Sequence, residues 1–331
     1  MAGSSTVLIM FFFMALGCLA INISPSDEAE FFAGMGSQRM TVLIISRLGL
    51  ANRLRAVADW YQIATISNRM LLVSWEPTVD CNAKFTDLFI DGPPNFKIMH
   101  EHVPRDDLGV KHIADIAANL NISHRAIYEN DMSQLWVNGR GRFILSKDVV
   151  FDDTDVVITH YDGAVSLEGV ACQQYLLLHS QFLSRLVPNE DAQKFLNSLH
   201  NDLFVNRIMV GVHYRAHDNQ QDWAVVPPAS GNEATNFGTR TSVQDFLSVM
   251  SAIQNKFTYT DRNGVLRTHV RFFVASNNET VKAMFQAVVK DGVFLGGEHR
   301  RDTINGMQIA LLEWLALSQS SLLINTYGSS F

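Results

Sequence analysis

Short apolar runs separated by polar loops recur along the chain and predict alternating strands and helices. Continuous apolar runs predict buried strands at 40–46, 70–75, 155–159, 208–212, 270–275 and 321–325. Apolar residues at helical spacing predict helices at 53–69, 173–199, 241–257, 279–290 and 307–318. We expect an interruption at Pro188 and a helix cap at Thr241 or Ser242. Residues 95–150 are mixed and give no clear assignment.

The strand–helix–strand order occurs twice, which predicts an α/β fold with parallel sheets in two Rossmann-like domains. A chain of 331 residues is also long for a single core. We expect domains at 39–180 and 205–331, joined by a helical region at 181–204 and preceded by a linker at 22–38. A turn and no helix follows the last predicted strand, so we expect either that the C-terminal domain is truncated or that it lacks a closing helix.

Residues 7–21 form an uncharged apolar run near the N-terminus. The run is typical of a secretory signal peptide over residues 1–21, since a membrane-spanning helix needs about 20 apolar residues. No Lys or Arg precedes it, so a short uncleaved signal anchor in the membrane is the alternative. Both interpretations predict that the chain enters the lumen of the secretory pathway, in the ER or Golgi.

Sequons and cysteines agree with that compartment. Glycosylation sequons begin at Asn22, Asn121 and Asn278, so we expect a glycoprotein. If a signal peptide is removed, Cys81 and Cys172 remain. They could form one disulfide in an oxidising lumen, and two buried free thiols are the alternative.

The charge balance argues against a nucleic-acid partner. The formal net charge is −7, whereas a nucleic-acid binder needs a basic surface. A single basic pocket for a phosphate remains compatible with this charge.

Two patterns suggest a metal site, and neither is favoured. His213 and His217 have the spacing of a helical zinc pair, but the run before them predicts a strand. Asp153 and Asp155 form the D-x-D pattern with which many nucleotide-sugar transferases hold a divalent cation. A solvated acidic turn is the commoner meaning of such a pattern, so no metal site is predicted.

Polar side chains follow four of the predicted strands. In open α/β sheets, ligands bind at the carboxyl ends of the strands, so these side chains predict a cleft for an anionic, hydrogen-bonding ligand. Loops after strands are polar in general, which is the alternative. The residues at these strand ends are Gly49 and Asn52; His213, Arg215, His217 and Asp218; Ser276, Asn277 and Asn278; and Thr326, Tyr327, Gly328, Ser329 and Ser330, with Glu313 on the intervening helix.

Four segments, in order, resemble motifs of the GDP-fucose-dependent fucosyltransferases, the superfamily of α1,2-, α1,6- and protein O-fucosyltransferases. The stretch GVHYRAHD at 211–218 resembles the family's His-x-Arg-Arg-x-Asp motif. Residues 271–285 resemble its second motif and 311–331 its third. Residues 47–64 resemble the Gly-Leu-Gly-Asn-Arg/Gln-Leu loop and helix near the start of such proteins. The match covers roughly 40–90 and 205–331.

The resemblance implies a GT-B architecture, in which two Rossmann-like domains face each other across a cleft. It implies an inverting transfer of fucose from GDP-fucose, without a metal ion or other cofactor, to a glycan or protein acceptor. The C-terminal domain would bind the nucleotide sugar, and the N-terminal domain would help to bind the acceptor.

The resemblance also implies roles for individual residues. Arg215 would bind the β-phosphate, His213 would lie near guanine, and the Glu313 carboxylate would accept hydrogen bonds from guanine. Ser329, with Thr326 or Ser330, would form a turn that contacts phosphate.

Other motif positions complete the predicted site. Gly49, Asn52, Asn277 and Asn278 are expected to line the nucleotide-sugar site. An inverting displacement must remove a proton from the acceptor hydroxyl. Asp222 is the predicted general base; it lies a few residues past the motif, close to where some family members carry an acidic residue but not in the same register, and some members have no evident side-chain base. Asp218 is the alternative base and would otherwise orient Arg215.

Three departures from the motifs leave two further functions open. Ala216 replaces the second Arg, and Asn277 and Asn278 replace an Asp pair. Ala51 stands where Gly is usual and would be strained if that position required a positive φ. The alternatives are a transferase of the same fold that uses another nucleotide sugar, and a non-catalytic protein that binds a glycan or a nucleotide.

Overall fold

The computed structural model describes residues 38–326 except 100–102, 138–139, 162, 171, 200, 202–203, 205–206, 216–241, 261, 290 and 298–299. Among these described residues, no helix is both long enough and apolar enough to cross a membrane. The predicted signal segment and the linker at 22–38 lie almost wholly outside them.

The first half forms a five-stranded sheet in the order β4-β2-β1-β8-β5, and each neighbouring pair of strands is parallel. Its strands are β1 (Met40–Ile45), β2 (Met70–Trp75), β4 (Phe96–Met99), β5 (His124–Ile127) and β8 (Val156–Thr159). The helices that cover it are α1 (Leu50–Ile66), α3 (Asp106–Asn119) and α5 (Cys172–Ser184).

Both faces of this sheet are buried. Successive side chains of a strand point to opposite faces, and every residue of β1 is buried. Leu43 packs in one core with Val57 of α1, and Ile44 packs in the other with Ile113 of α3. This two-sided burial explains why β1 is apolar at nearly every position.

The second half forms a parallel four-stranded sheet in the order β15-β14-β11-β16. Its strands are β11 (Ile208–Tyr214), β14 (Val270–Ser276), β15 (Val293–Phe294) and β16 (Leu322–Asn325). Helices α7 (Val243–Lys256) and α8 (Glu279–Val288) cover one face, and α9 (Ile304–Ser318) packs on the other.

Several smaller elements are also described, besides a 3₁₀ helix at Glu129–Asp131. They are α2 (Phe85–Leu88), β3 (Phe89–Asp91), β6 (Met132–Val137), β7 (Arg140–Leu145), α4 (Lys147–Val150), β9 (Val165–Leu167), β10 (Val187–Pro188), α6 (Glu190–Ser198), β12 (Thr258–Thr260) and β13 (Leu266–Thr268). Strands β6, β7 and β9 form a small sheet, while β3 pairs with β10 and β12 pairs with β13.

Helix α9 joins the two halves. Met307 and Leu311 belong to the core of the first sheet, whereas Ala316 and Leu317 belong to the core of the second. Gly211 in the middle of β11 permits this packing, because a Cβ there would lie 2.9 Å from Leu317 Cδ2. The middle of α9 therefore lies at the junction of the two halves.

The predicted α/β architecture with parallel sheets is confirmed, and several boundaries differ. The predicted interruption of the helix at 173–199 is found, since α5 ends at Ser184 and α6 begins at Glu190. The Ser242 hydroxyl caps α7 by accepting a hydrogen bond from Asp245 N at 3.1 Å. The mixed region at 95–150 contains α3 and several short strands. The predicted domain boundaries stay predictions.

Two boundary differences bear on the candidate site. Helix α1 begins at Leu50 rather than Arg53, so Ala51 and Asn52 lie in its first turn. Strand β11 continues to Tyr214, so His213 lies inside the strand and not after it. Ala51 has a negative φ, and the strain considered for this position is therefore absent.

Candidate functional site

A cleft lies between the carboxyl ends of the two parallel sheets. Six residues predicted from the sequence line it: Gly49, Asn52, His213, Arg215, Asn277 and Glu313. Leu50, Ala51, Asp80, Arg301, Gly306, Met307 and Ala310 also line it. The cleft is thus built from both halves of the chain.

The other predicted site residues fall into two groups. Asn278 and Thr326 are described, but they form hydrogen bonds within the protein beside the cleft. Asp218, Asp222, Ser329 and Ser330, together with His217, lie outside the described residues, and their roles stay predictions.

His213 is held near the carboxyl end of β11 as a neutral imidazole. Its Nδ1 lies 2.6 Å from the side-chain oxygen of Asn325, its direct register partner on β16. Burial lowers the pKa of His213 to about 4; the Asn325 hydrogen bond opposes this shift and the Arg215 charge adds to it. Because Nδ1 donates to Asn325, Nε2 is the acceptor nitrogen of the ring. Asn325 was not predicted from the sequence, although it lies just before the third motif's polar turn.

Thr326 fixes the backbone on which His213 and Arg215 stand. Its hydroxyl accepts a hydrogen bond from Arg215 N at 2.9 Å and donates to His213 O at 3.3 Å. Its own N–H donates to the same carbonyl at 3.0 Å. Thr326 therefore ties the end of β16 to the end of β11, and its predicted contact with phosphate stays a prediction.

The two asparagines after β14 have different positions. Asn277 lines the cleft. Asn278 is the N-cap of α8, and its side-chain oxygen accepts a hydrogen bond from Val281 N at 3.1 Å. Asn and Asp cap helices about equally well, so replacing Asp by Asn at 278 preserves this local structure.

Asn278→Ala is expected to destabilise the protein by about 1 kcal/mol, because the cap hydrogen bond to Val281 N is lost. Asn278→Asp should leave the stability nearly unchanged, since Asp is an equally good cap. Urea unfolding of the two variants checks this. Equal stability of the Ala variant and the parent would contradict the capping role.

Glu313 lies in the cleft wall beside a buried lysine that was not predicted from the sequence. Lys282 Nζ of α8 lies 3.0 Å from Glu313 Oε1 of α9, and both residues are almost fully buried. The ammonium also donates to Leu295 O at 3.0 Å and lies 3.7 Å from a Glu279 oxygen. The sequence does contain one indication that Lys282 is buried: it precedes the buried Phe285 by three residues and so shares its helix face.

Burial and the lysine act on Glu313 in opposite directions. Burial raises the pKa of Glu313 to about 7, although the Lys282 ammonium favours the ionised carboxylate. An ionised carboxylate at this position accepts N–H donors from a ligand.

The start of α1 forms the facing wall of the cleft. Its N-cap is Gly49, which has no side chain to cap the first-turn N–H groups. Such an N-terminus carries a partial positive charge and favours an anion. Asn52 Oδ1 is also buried without a hydrogen-bond partner among the described residues, so a ligand donor would satisfy it.

The D-x-D pair lies at the opposite end of the strands of the first sheet from the cleft. Asp153 pairs with Arg39 at 2.9 Å, and Asp155 accepts a hydrogen bond from Ser123 Oγ at 2.5 Å. Both are beside the amino ends of the strands, since Asp155 O accepts from Met40 N. No group of three or more His, Cys, Asp or Glu side chains suited to a metal ion occurs in the described part of the chain.

Cys81 is a buried free thiol, and burial raises its pKa. The side chain of Cys172 is outside the described residues. The free state of Cys81 favours the alternative of free thiols over a disulfide.

No protein-family model matches the chain, and no curated protein matches it by sequence. Solved structures match it over most of its length. The α-1,6-fucosyltransferase NodZ soaked with GDP-fucose matches with a TM-score of 0.51 and 12% identity, over 88% of this chain and 90% of its own. Fucosyltransferase NodZ from Bradyrhizobium has a TM-score of 0.50 at 12% identity, over the same shares of the two chains.

POFUT1 in complex with GDP-fucose matches with a TM-score of 0.51 and 11% identity, over 89% of this chain and 92% of its own. At such low identity, the similarity establishes the fold. The predicted GT-B fold is confirmed, and the chain shares this fold with these solved structures.

Proposed function

We propose that this protein is a glycosyltransferase that moves fucose from GDP-fucose to a glycan or protein acceptor, with inversion and without a metal ion. The main support is the convergence of His213, Arg215, Asn277 and Glu313 on one cleft. Two fold neighbours, one soaked with GDP-fucose and one in complex with it, add to this support.

The first requirement of the reaction is stabilisation of the negative charge on the leaving GDP. Breaking the sugar–phosphate bond builds negative charge on the diphosphate, which fixed positive groups stabilise in the transition state. A guanidinium suits this task because it binds phosphate with paired hydrogen bonds. Arg215 supplies one in the cleft, and the uncapped start of α1 faces it with a partial positive charge.

Recognition of guanine is the second requirement. Guanine presents adjacent N1–H and N2–H donors, which a carboxylate accepts together. Glu313 lies in the cleft wall with one oxygen held by Lys282, and neutral His213 offers an acceptor nitrogen nearby. This arrangement favours guanine over adenine and over the pyrimidines.

Proton removal and part of the phosphate contact are assigned to residues outside the described ranges. We assign the general base to Asp222, with Asp218 orienting Arg215. We also assign contacts with the phosphates to Ser329 and Ser330.

We also propose that the protein works in the lumen of the ER or Golgi, directed or anchored there by residues 7–21. The apolar run and the sequons support this location. Full-length protein in intact microsomes should resist added protease until detergent is present. Digestion without detergent would contradict the luminal location.

GDP is expected to raise the melting temperature of the full-length protein, and UDP and ADP are expected to change it much less. A ligand at about 100 times its Kd stabilises the folded state by about 2.7 kcal/mol, which thermal unfolding detects easily. Ala216 and Asn277 keep a transferase for another nucleotide sugar as the second candidate. Stabilisation by UDP alone would favour that candidate and contradict the fucosyl proposal.

A further inference from the structure

Arg53 is a buried arginine that connects two loops of the first sheet. Its side chain lies in α1 and is fully buried. Nε donates to Leu48 O at 2.8 Å, Nη1 donates to Glu76 O at 2.6 Å, and Nη2 donates to Thr78 Oγ1 at 2.8 Å. The guanidinium also lies 5.2 Å from the ring centroid of Trp75.

The acceptors of Arg53 belong to the loops that build the N-terminal wall of the cleft. Leu48 follows β1 and precedes Gly49, while Glu76 and Thr78 follow β2 and precede Asp80. Gly49 and Asp80 both line the cleft. The two loops meet there, since a Cβ on Gly49 would lie 3.6 Å from Asp80 O.

Leu48 has a φ of +73°, in the left-handed region that a residue with a branched side chain rarely adopts. Such a strained backbone conformation is maintained only where surrounding contacts restrain it. Without that restraint, the strain shifts the equilibrium of the peptide toward an unstrained conformation by about tenfold or more. The hydrogen bond from Arg53 Nε to the Leu48 carbonyl supplies that restraint. If the peptide at Leu48 adopted another conformation, the first turn of α1 would point in a different direction relative to the cleft.

We infer that Arg53 is a positioning residue for the diphosphate: it holds the strained Leu48 peptide so that Gly49 and the first turn of α1 face the cleft. The inference rests on the proposed function, because it assigns the start of α1 to the leaving group. Arg53 acts through the two loops and does not itself touch the donor.

Arg69 provides a matched control in the same sheet. Its side chain is also fully buried, and it pairs with Asp152 at 3.3 Å. It donates to Asp155 O at 3.2 Å. These partners lie at the amino ends of the strands, away from the cleft. Loss of Arg69 therefore reports what the removal of a buried arginine does to the fold alone.

The test measures the GDP affinity of the full-length Arg53→Met and Arg69→Met variants by isothermal titration calorimetry. The stability of each variant is measured by unfolding. Arg53→Met is expected to weaken GDP binding by about tenfold or more, and Arg69→Met by less than about twofold. Equal losses in the two variants would overturn the inference. If Arg53→Met does not fold, Arg53→Lys replaces it, because a lysine cannot reach all three acceptors.

A second substitution separates positioning from general support of the fold. Leu48→Gly in the Arg53→Met background should recover much of the lost GDP affinity, because glycine adopts a positive φ without strain. A cavity left by Arg53 would not be repaired by this change, so absence of recovery would overturn the inference. Failure of the parent protein to bind GDP would instead overturn the proposed function, and the inference with it.

Discussion

Arg215→Ala is expected to lower kcat/KM for the release of GDP from GDP-fucose by about 10³-fold, the largest effect of any single change in the cleft. The loss follows from the charge that develops on the diphosphate as the sugar–phosphate bond breaks. The hydrogen bond from Arg215 N to Thr326 fixes the backbone from which this guanidinium reaches into the cleft. Arg215→Lys should fall between the parent and the Ala variant, because a lysine keeps the charge and loses the paired hydrogen bonds.

Asp153→Asn is the control for this prediction. The Asp153 side chain is exposed near the amino ends of the strands of the first sheet, away from the cleft. Its loss should therefore change kcat/KM by less than about twofold. Steady-state GDP release by the three variants measures both effects. A large loss in Asp153→Asn with full activity in Arg215→Ala would support a metal-dependent D-x-D mechanism and contradict the role of Arg215 on the leaving group.

Glu313→Gln is expected to weaken GDP binding on the order of 100-fold, because the amide turns a donor toward the N–H groups of guanine and leaves them poorly paired. The loss should be smaller for inosine diphosphate, which lacks the 2-amino group. Glu279→Gln is a matched control, since Glu279 also lies near Lys282 but its side chain is largely exposed. Titration of the variants with both nucleotides measures the effect, and equal losses for GDP and inosine diphosphate would contradict contact with the 2-amino group.

Titration of Glu313 is expected to change the stability of the protein and its affinity for GDP in opposite directions as the pH rises. The pKa of Glu313 is raised by burial to about 7, so the folded state prefers the protonated acid. The stability that this group contributes is therefore present below its ordinary pKa and is lost as the pH rises through about 7. GDP binding needs the carboxylate and should strengthen on the order of tenfold over the same rise. Glu313→Gln should remove both trends, and persistence of either in that variant would assign it to another group.

Much of the site follows from the rule that parallel strands end at one edge of a sheet. The apolar runs that form β1, β11, β14 and β16 are visible in the sequence, and so are the polar residues after them. Applied to these runs, the rule predicts that His213, Arg215 and Asn277 share one cleft, and all three line it. It also explains why the D-x-D pair, which precedes β8, falls at the far edge.

The remaining parts of the site depend on contacts between segments distant in sequence. Lys282 and Glu313 pair because α8 and α9 approach each other, and no local pattern predicts that approach. Likewise, the sequence pattern places Arg53 simply at the start of a helix, while its bonds to Leu48 and Glu76 require two loops to converge. The predicted start of α1 is three residues late because its N-cap is Gly49, which lacks the side-chain signal of Ser, Thr, Asp or Asn.

The most direct test of the central claim is the incubation of the full-length protein with GDP-fucose in the presence of EDTA. The release of GDP is followed over time, and the anomer of the fucose product is read by NMR. We expect release that EDTA does not slow, an inverted anomeric centre, and no comparable release from a UDP-sugar. Tight GDP binding without any release, across water and a panel of glycan and protein acceptors, would contradict the claim and identify a non-catalytic nucleotide-binding protein.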